Sequence, residues 1–342
     1  MCGITGWLAR RAEPIAVQRA VKALHHRGPD DSGIWSGEGV VLGFARLAIL
    51  DLSAAGHQPM STGYGRFTLV FNGEIYNFAE LRGELEAQGE SFKGHSDSEV
   101  LLRLLSRRGL EGCLERLRGM FAFAAWDNVE RRLLIARDRL GVKPLVYAQT
   151  NEGFCFASEI GALFALIPGL SREADPVALD HYLTLNYIPA PLSGFRAIRK
   201  LLPAHAMIVK EGRIERMFRY WQPDFSRPAA LSFGEACEAL REQVLEATRL
   251  RLVSDVPLGA FLSGGIDSSI TVAAMARTGG APPETFSIGF DEDRFNELPQ
   301  AREVATFLGT RHHEMVVRAD AVKVLPRLIE HVGEPMADNS LL

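Results

Sequence analysis

A cysteine at position 2, directly after Met1 and directly before Gly3, is the first residue that could do chemistry. A small second residue is what removal of the initiator methionine requires, so the mature chain is expected to begin with Cys2. A thiol and a free α-amine would then share one residue. An α-amine has a reference pKa near ~8, so it is substantially neutral at working pH and can accept the thiol proton. This is the N-terminal form of the nucleophile–base pair. By position alone, Cys2 could equally be a small buried apolar residue. A second candidate runs from Leu262 through Ser263-Gly264-Gly265-Ile266-Asp267-Ser268-Ser269. Two glycines allow consecutive backbone N–H groups to face a phosphate, and the positive end of a following helix adds to the attraction. Ser263, Ser268 and Ser269 offer hydroxyls. Asp267 beside phosphates is repulsive unless a cation intervenes, so it is read as a Mg²⁺ ligand. The pair His312-His313 is read as structural, because neighbours on a strand point to opposite faces and do not converge on one ion.

The elements that must position these groups fall into two styles. Residues 1–221 carry short apolar runs separated by glycine, among them Val40–Phe44, Phe67–Phe71, Met120–Trp126, Leu133–Ala136, Leu145–Tyr147 and Phe154–Ala157, which read as strands. Helical spacing appears at Phe78–Gln88, with Leu81 and Leu85, and at Ser98–Arg108. A sheet-rich α+β domain is expected. A Pro/Ser/Asp-containing linker follows near Pro223–Ala230. Ser232-Phe233-Gly234-Glu235 then has the form of a capping box opening a helix with Phe233, Ala236, Leu240, Val244 and Ala247 on one face. Strands at Val256–Leu262, Thr285–Phe290 and Glu314–Val317 alternate with helices at Asp267–Arg277, Pro299–Leu308 and Ala321–Val332. Such alternation argues for a doubly wound α/β parallel sheet.

The 342 residues suit about two domains, and 47% hydrophobic residues suffice for a core in each. A net charge of −4 points to neither nucleic acid nor an anionic membrane. No stretch is apolar for the roughly 18 residues a membrane span needs, and the N-terminus lacks a signal-peptide pattern. Cys2, Cys113, Cys155 and Cys237 are too scattered for a disulfide framework or zinc site, so a cytoplasmic setting is expected.

Seven segments occur in order: Cys2–Gly6, Arg27–Asp30, Arg46–Asp51, Phe71–Asn77, Gly94–Glu99, Gly119–Phe123 and Arg137–Pro144. Together they resemble the class II glutamine amidotransferase domain, an N-terminal-nucleophile hydrolase whose two stacked sheets lie between helical layers, an αββα sandwich. The resemblance covers nearly all of residues 2–221. It implies that Cys2 attacks the side-chain amide of glutamine, with the Asn72 amide and the Gly73 N–H stabilising the oxyanion. Gly73 would leave the backbone open to close approach by substrate. Arg46 suits the α-carboxylate through two parallel bonds, Asp97 the α-ammonium, and Glu74, Leu47, Ile49 and Leu50 the rest of the glutamine site. Taken singly, Asn72-Gly73 could be a hairpin turn and Asp97 a helix N-cap.

The S-G-G-x-D-S loop is similar to that of ATP pyrophosphatases. A class II glutaminase (2–221), a linker (222–231) and such a domain (232–342) together resemble asparagine synthetases of the B type. That resemblance implies ATP and Mg²⁺ as cofactors, ATP contacts from Leu262, Ser263, Gly264, Gly265, Asp267, Ser268, Ser269 and Ile288, and metal ligation by Asp267 and Asp338. Aspartate would be activated as β-aspartyl-AMP and attacked by ammonia from the first site, with a homodimer left open. The synthetase half of the family continues well past Leu342, so weak ATP binding and a sticky second half are expected. Amidation of another carboxylate, as in exopolysaccharide or antibiotic assembly, stays open, as does a chain with glutaminase activity only or none. A β-lactam-forming relative is disfavoured by the presence of Cys2.

Overall fold

Strands with apolar residues at alternate positions must bury one face, and in the first half of this chain they bury both. The computed structural model describes residues 1–226, 228–291, 294, 296–318 and 321–338; Arg227 of the expected linker and residues 339–342 lie outside the described residues. The chain divides into two compact units, Met1–Pro223 with Val324–Leu342, and Asp224–Lys323.

In the first unit the elements are β1 (Gly3–Leu8), α1 (Pro14–Ala23), β2 (Asp31–Gly37), β3 (Val40–Arg46), β4 (Met60–Ser61), β5 (Phe67–Ile75), α2 (Phe78–Ala87) and α3 (Asp97–Arg116). They continue with β6 (Gly119–Asp127), β7 (Arg132–Arg137), β8 (Val146–Thr150), β9 (Gly153–Ala157), α4 (Ile160–Leu166), α5 (Pro176–Leu185), β10 (Arg199–Lys200), β11 (His205–Lys210) and β12 (Arg213–Arg219). Two six-stranded sheets form, ordered β10-β8-β9-β1-β3-β2 and β12-β11-β7-β6-β5-β4. Ile4, Leu8, Val40, Leu42 and Phe44 from one sheet meet Val70, Ala122, Ala124, Trp126, Leu133 and Ile135 from the other in a shared core. The alternate residues Trp7, Val41 and Ala45 pack outward with α1 and α4 residues such as Val17, Ala20 and Leu163. Phe71, Ile75, Phe121 and Phe123 pack outward with Leu81, Leu85, Leu101 and Leu105 of α2 and α3. The result is the expected αββα sandwich. Complete burial of a side chain such as Phe44 stabilises it by about 1.5–3 kcal/mol.

The second unit carries α6 (Phe233–Arg251), β13 (Gly259–Phe261), α7 (Ile266–Thr278), β14 (Glu284–Gly289), α8 (Leu298–Leu308) and β15 (Arg311–Val316); α9 (Ala321–Val332) follows. The three strands form one parallel sheet, β13-β14-β15, with α7 and α8 as the crossovers. Ser232 and Glu235 make both bonds of the capping box, yet no residue of α6 is fully buried, and Phe233 and Leu240 of its expected apolar face stay exposed. The strand expected over Val256–Leu262 shrinks to three residues, since only Gly259, Ala260 and Phe261 pair with β14. His312 and His313 do face apart: one meets the Thr285 hydroxyl at 2.9 Å, the other the Glu284 carboxylate at 2.8 Å. No helix among the described residues is long and apolar enough to cross a membrane.

Candidate functional site

The two-residue period of the strands selects the site. Ile4, Phe44 and Val70 point into the space between the sheets, so Cys2, Arg46, Asn72 and Glu74 fall on the same inward faces. Gly3 pairs with Ala45, which sets Cys2 and Arg46 one step beyond that pair, at the mouth of the sandwich. Cys2 Sγ lies 3.4 Å from the Leu47 amide nitrogen and 3.5 Å from its carbonyl oxygen. Burial pushes the Cys2 thiol up despite the Leu47 amide, so the resting group is a thiol that needs a base.

Asn72 and Gly73 are not a hairpin turn. They lie inside β5, paired with Ala122 and Phe121 of β6. Asn72 is 1% exposed, and neither its Oδ1 nor its Nδ2 has a hydrogen-bond partner among the described residues. Leaving a buried amide unsatisfied costs roughly 1–3 kcal/mol, so the orphan marks a place for a ligand. Backbone N–H groups alternate sides along a strand. Those of Phe71 and Ile75 turn from β6 to the open edge, bonding Gln58 Oε1 at 2.7 Å and Asp97 Oδ2 at 2.8 Å. The Gly73 N–H, between them, points to that same edge. A Cβ at Gly73 would stand 2.2 Å from the Met120 carbonyl oxygen, so glycine there also lets β5 and β6 close together.

Asp97 is the first residue of α3 and not its cap; the Ser96 hydroxyl caps the helix by accepting from the Glu99 amide. The Asp97 carboxyl is buried close to the Glu74 side chain. Burial, and then Asp97, push Glu74 up to about 8; burial likewise raises Asp97 to about 6, against bonds from Ile75 and Ser98. The pair therefore holds a shared proton near neutral pH. Arg46 is buried, and its guanidinium grips the turn that follows: Nη1 reaches the Ser53 carbonyl at 3.2 Å, and Nη2 the carbonyls of Leu50 and Asp51. The expected two-bond fork is thus occupied by the protein itself, leaving Nε–H and one Nη1 hydrogen for a carboxylate. Leu47 and Ile49 line the half-exposed start of the turn and Leu50 is buried.

Two cations carried no assigned role in the sequence. Arg27 is buried; its Nε donates to the Cys2 carbonyl at 3.0 Å and its Nη1 to Glu159 at 2.6 Å. It also borders a cavity of about 380 Å³ whose wall includes Ser158, Lys200 and Glu334. Lys143 is buried beside this group; burial pulls its ammonium down, opposed by Glu74 and reinforced by Arg27. Both sit inside recognisable segments, but no periodicity marks a cation as buried.

In the second unit, Gly264 adopts φ 80°, and a Cβ there would lie 2.6 Å from the Gln300 carbonyl carbon, so glycine is required. Gly265 caps α7 with no side chain of its own. The hydroxyls of Ser263 and Ser268 meet at 3.0 Å, and the Ser263 hydroxyl accepts from the Gly265 amide at 3.3 Å. Ser269 Oγ donates to the Gly265 carbonyl at 2.7 Å. Asp267 is exposed in the first turn of α7. The Leu262 side chain is core, packed with Val272, Ala301 and Ala305, and Ile288 is exposed. Asp338 belongs with the first unit. Among the described residues no three acidic, His or Cys groups cluster into a metal cage.

Residues 1–221 match the glutamine amidotransferase domain family, and residues 239–342 match the asparagine synthase family. The chain is 37% identical, over its full length, to asparagine synthetase (glutamine-hydrolysing) 3 of Bacillus subtilis, and 34% identical, over 99% of its length, to asparagine synthetase (glutamine-hydrolysing) 1 of the same organism. It covers 59% and 54% of them, so it spans about half the length of these curated relatives. Among solved structures, a glutamine phosphoribosylpyrophosphate amidotransferase from B. subtilis superposes with a TM-score of 0.51 at 18% identity, covering 95% of this chain and 70% of that one. That likeness concerns the fold alone.

Proposed function

We propose, from the premise that this chain belongs to the glutamine-hydrolysing asparagine synthetase family, that its first unit hydrolyses the side-chain amide of glutamine and that the ammonia is used to amidate aspartate. The observation that carries the reading is the buried Asn72 amide, without a hydrogen-bond partner among the described residues, on the inner face of one sheet while the Cys2 thiol lies on the inner face of the other. Cys2 Sγ attacks the amide carbon while the α-amine of Cys2 takes the thiol proton. Asn72 Nδ2 and the Gly73 N–H receive the developing oxyanion. The C–N bond breaks, the proton passes to the departing ammonia, and water then hydrolyses the thioester to glutamate. Arg46 meets the α-carboxylate with its remaining N–H groups, and Asp97 with Glu74 holds the α-ammonium. In the second unit, the amides and hydroxyls from Ser263 to Ser269 bind ATP phosphates, and aspartate becomes β-aspartyl-AMP with release of pyrophosphate. Mg²⁺ fits this loop, because the ion is usually held by one or two carboxylates plus phosphates and waters. The exposed Asp267 can supply one such carboxylate, and the ion would neutralise phosphate charge.

The mechanism requires Met1 to be gone, since an acylated nitrogen on Cys2 is not basic. Burial, with Arg27 and Lys143 nearby, holds the ammonium of Met1 below its ordinary value. Protein that converts glutamine to glutamate is expected to show an intact mass lacking Met1. Full hydrolysis with Met1 retained contradicts the mechanism.

The acidic pair also gives the glutamine KM a pH dependence. Its full negative charge develops only as pH rises through about 6 to about 8, and that charge attracts the α-ammonium. KM is therefore expected to fall over that window and to rise on acidification, whereas ordinary carboxylates would leave it flat until near pH ~4. A KM profile that stays flat, or one that survives Asp97→Asn, removes the pair from this role.

A further inference from the structure

We infer that Asp51 is a positioning residue for the amino-acid end of glutamine, tying the turn after β3, which Arg46 grips, to the loop that leads into α3 and Asp97. The inference rests on the proposed glutaminase reading, which supplies the substrate whose charged ends those loops would hold.

Asp51 is fully buried and adopts φ 55°, a left-handed conformation rare outside glycine. Its carbonyl accepts from Nη2 of Arg46. Its carboxylate works in two directions. Oδ1 accepts from the Ser53 amide at 3.2 Å and the Ser53 hydroxyl at 2.5 Å, closing the turn that Arg46 grips. Oδ2 accepts from the His95 amide at 2.8 Å, with His95 Nδ1 at 3.6 Å. His95 lies two residues before Asp97, so one side chain fixes both loops. Two glycines make the room. A Cβ on Gly94 would stand 2.1 Å from Asp51 Oδ2, and one on Gly56 would stand 2.0 Å from Arg46 Nη2.

Burial opposes the Asp51 charge, yet the Ser53 hydroxyl and the amides of His95 and Ser53 hold its carboxyl below the usual range. It is therefore ionised wherever the enzyme would work, and these are charge-assisted bonds, stronger than neutral ones. The bonds of Asp51 run to the turn that Arg46 grips and to the His95 amide just before Asp97, so its removal should reach the substrate through Arg46 and Asp97.

The test compares the full chain with Asp51→Ala and Asp51→Asn. Two readouts are taken: glutamine hydrolysis, and alkylation of Cys2 by iodoacetamide with and without glutamate, the product that shares the amino-acid end. Asp51→Ala is expected to raise the glutamine KM roughly 10- to 100-fold and to raise the glutamate concentration needed for protection by a similar factor. Turnover at saturation should stay within about threefold, and the unprotected alkylation rate should not move. Asp51→Asn keeps an acceptor for the His95 amide without the charge and should fall between. If the alanine chain does not fold, the asparagine chain is read on the same axes. Unchanged KM and protection in both variants overturn the positioning role while leaving the glutaminase reading intact. A joint fall in turnover and in unprotected alkylation also overturns it, because the substitution then acts on Cys2 itself. A parent chain that neither hydrolyses glutamine nor is protected by glutamate overturns the glutaminase reading and this inference with it.

Discussion

Cys2→Ala is expected to abolish glutamine hydrolysis, a loss of about 10⁴-fold or more if it behaves as nucleophiles do in other acyl-transfer enzymes. The other three cysteines should not substitute. Cys113 and Cys155 are fully buried in the cores, and burial pushes their thiols up, Cys155 to about 12. Both are thus protonated and inaccessible. Cys237 lies on α6 in the second unit. Alanine at 113 or 155 should lower thermal stability through lost packing but leave turnover of the folded protein near normal. Hydrolysis is measured as glutamate release from each purified variant. Turnover surviving in Cys2→Ala would end the nucleophile assignment.

Asn72→Ala is expected to lower turnover by about 10²–10³-fold, the usual cost of one oxyanion donor, with little change in KM. Its second signature is thermodynamic. A side chain that serves packing would destabilise the fold when removed. The Asn72 amide, however, is buried with both polar atoms unpartnered among the described residues, so its presence costs the ligand-free fold roughly 1–3 kcal/mol. Truncation removes that cost and leaves a small cavity, so the unfolding midpoint should stay level or rise. Thermal unfolding and glutamate release on the same preparation decide the matter. A clear drop in the midpoint with modest loss of turnover would make Asn72 a structural residue.

The local patterns that the chain spells out were enough for much of this protein. Short continuous apolar runs placed β3, β5, β6, β7 and β9 to within a few residues, because a strand buried on both faces is apolar along its length. The capping box at Ser232, the helix expected over Asp267–Arg277 and the parallel pairing of β13, β14 and β15 followed from equally local signals. The αββα sandwich itself came from resemblance across seven segments and not from periodicity. Tertiary structure alone decided the rest. Burial depends on what packs from far along the chain, so the sequence could not show that Phe233 and Leu240 of α6 stay exposed or that Leu262 is core. Nor could it show that the guanidinium of Arg46 is spent on the carbonyls of residues 50, 51 and 53. The glycine at 73 was legible as a glycine, but its closeness to the Met120 carbonyl on the neighbouring strand was not. The charged groups around Cys2 are the plainest case. Arg27, Lys143, Glu74 and Asp97 are far apart in sequence, and it is their shared burial at one end of the sandwich that shifts the proton equilibria of Lys143, Glu74 and Asp97. Residue type fixed what each group could do; desolvation and neighbours, which exist only in the fold, decide its charge.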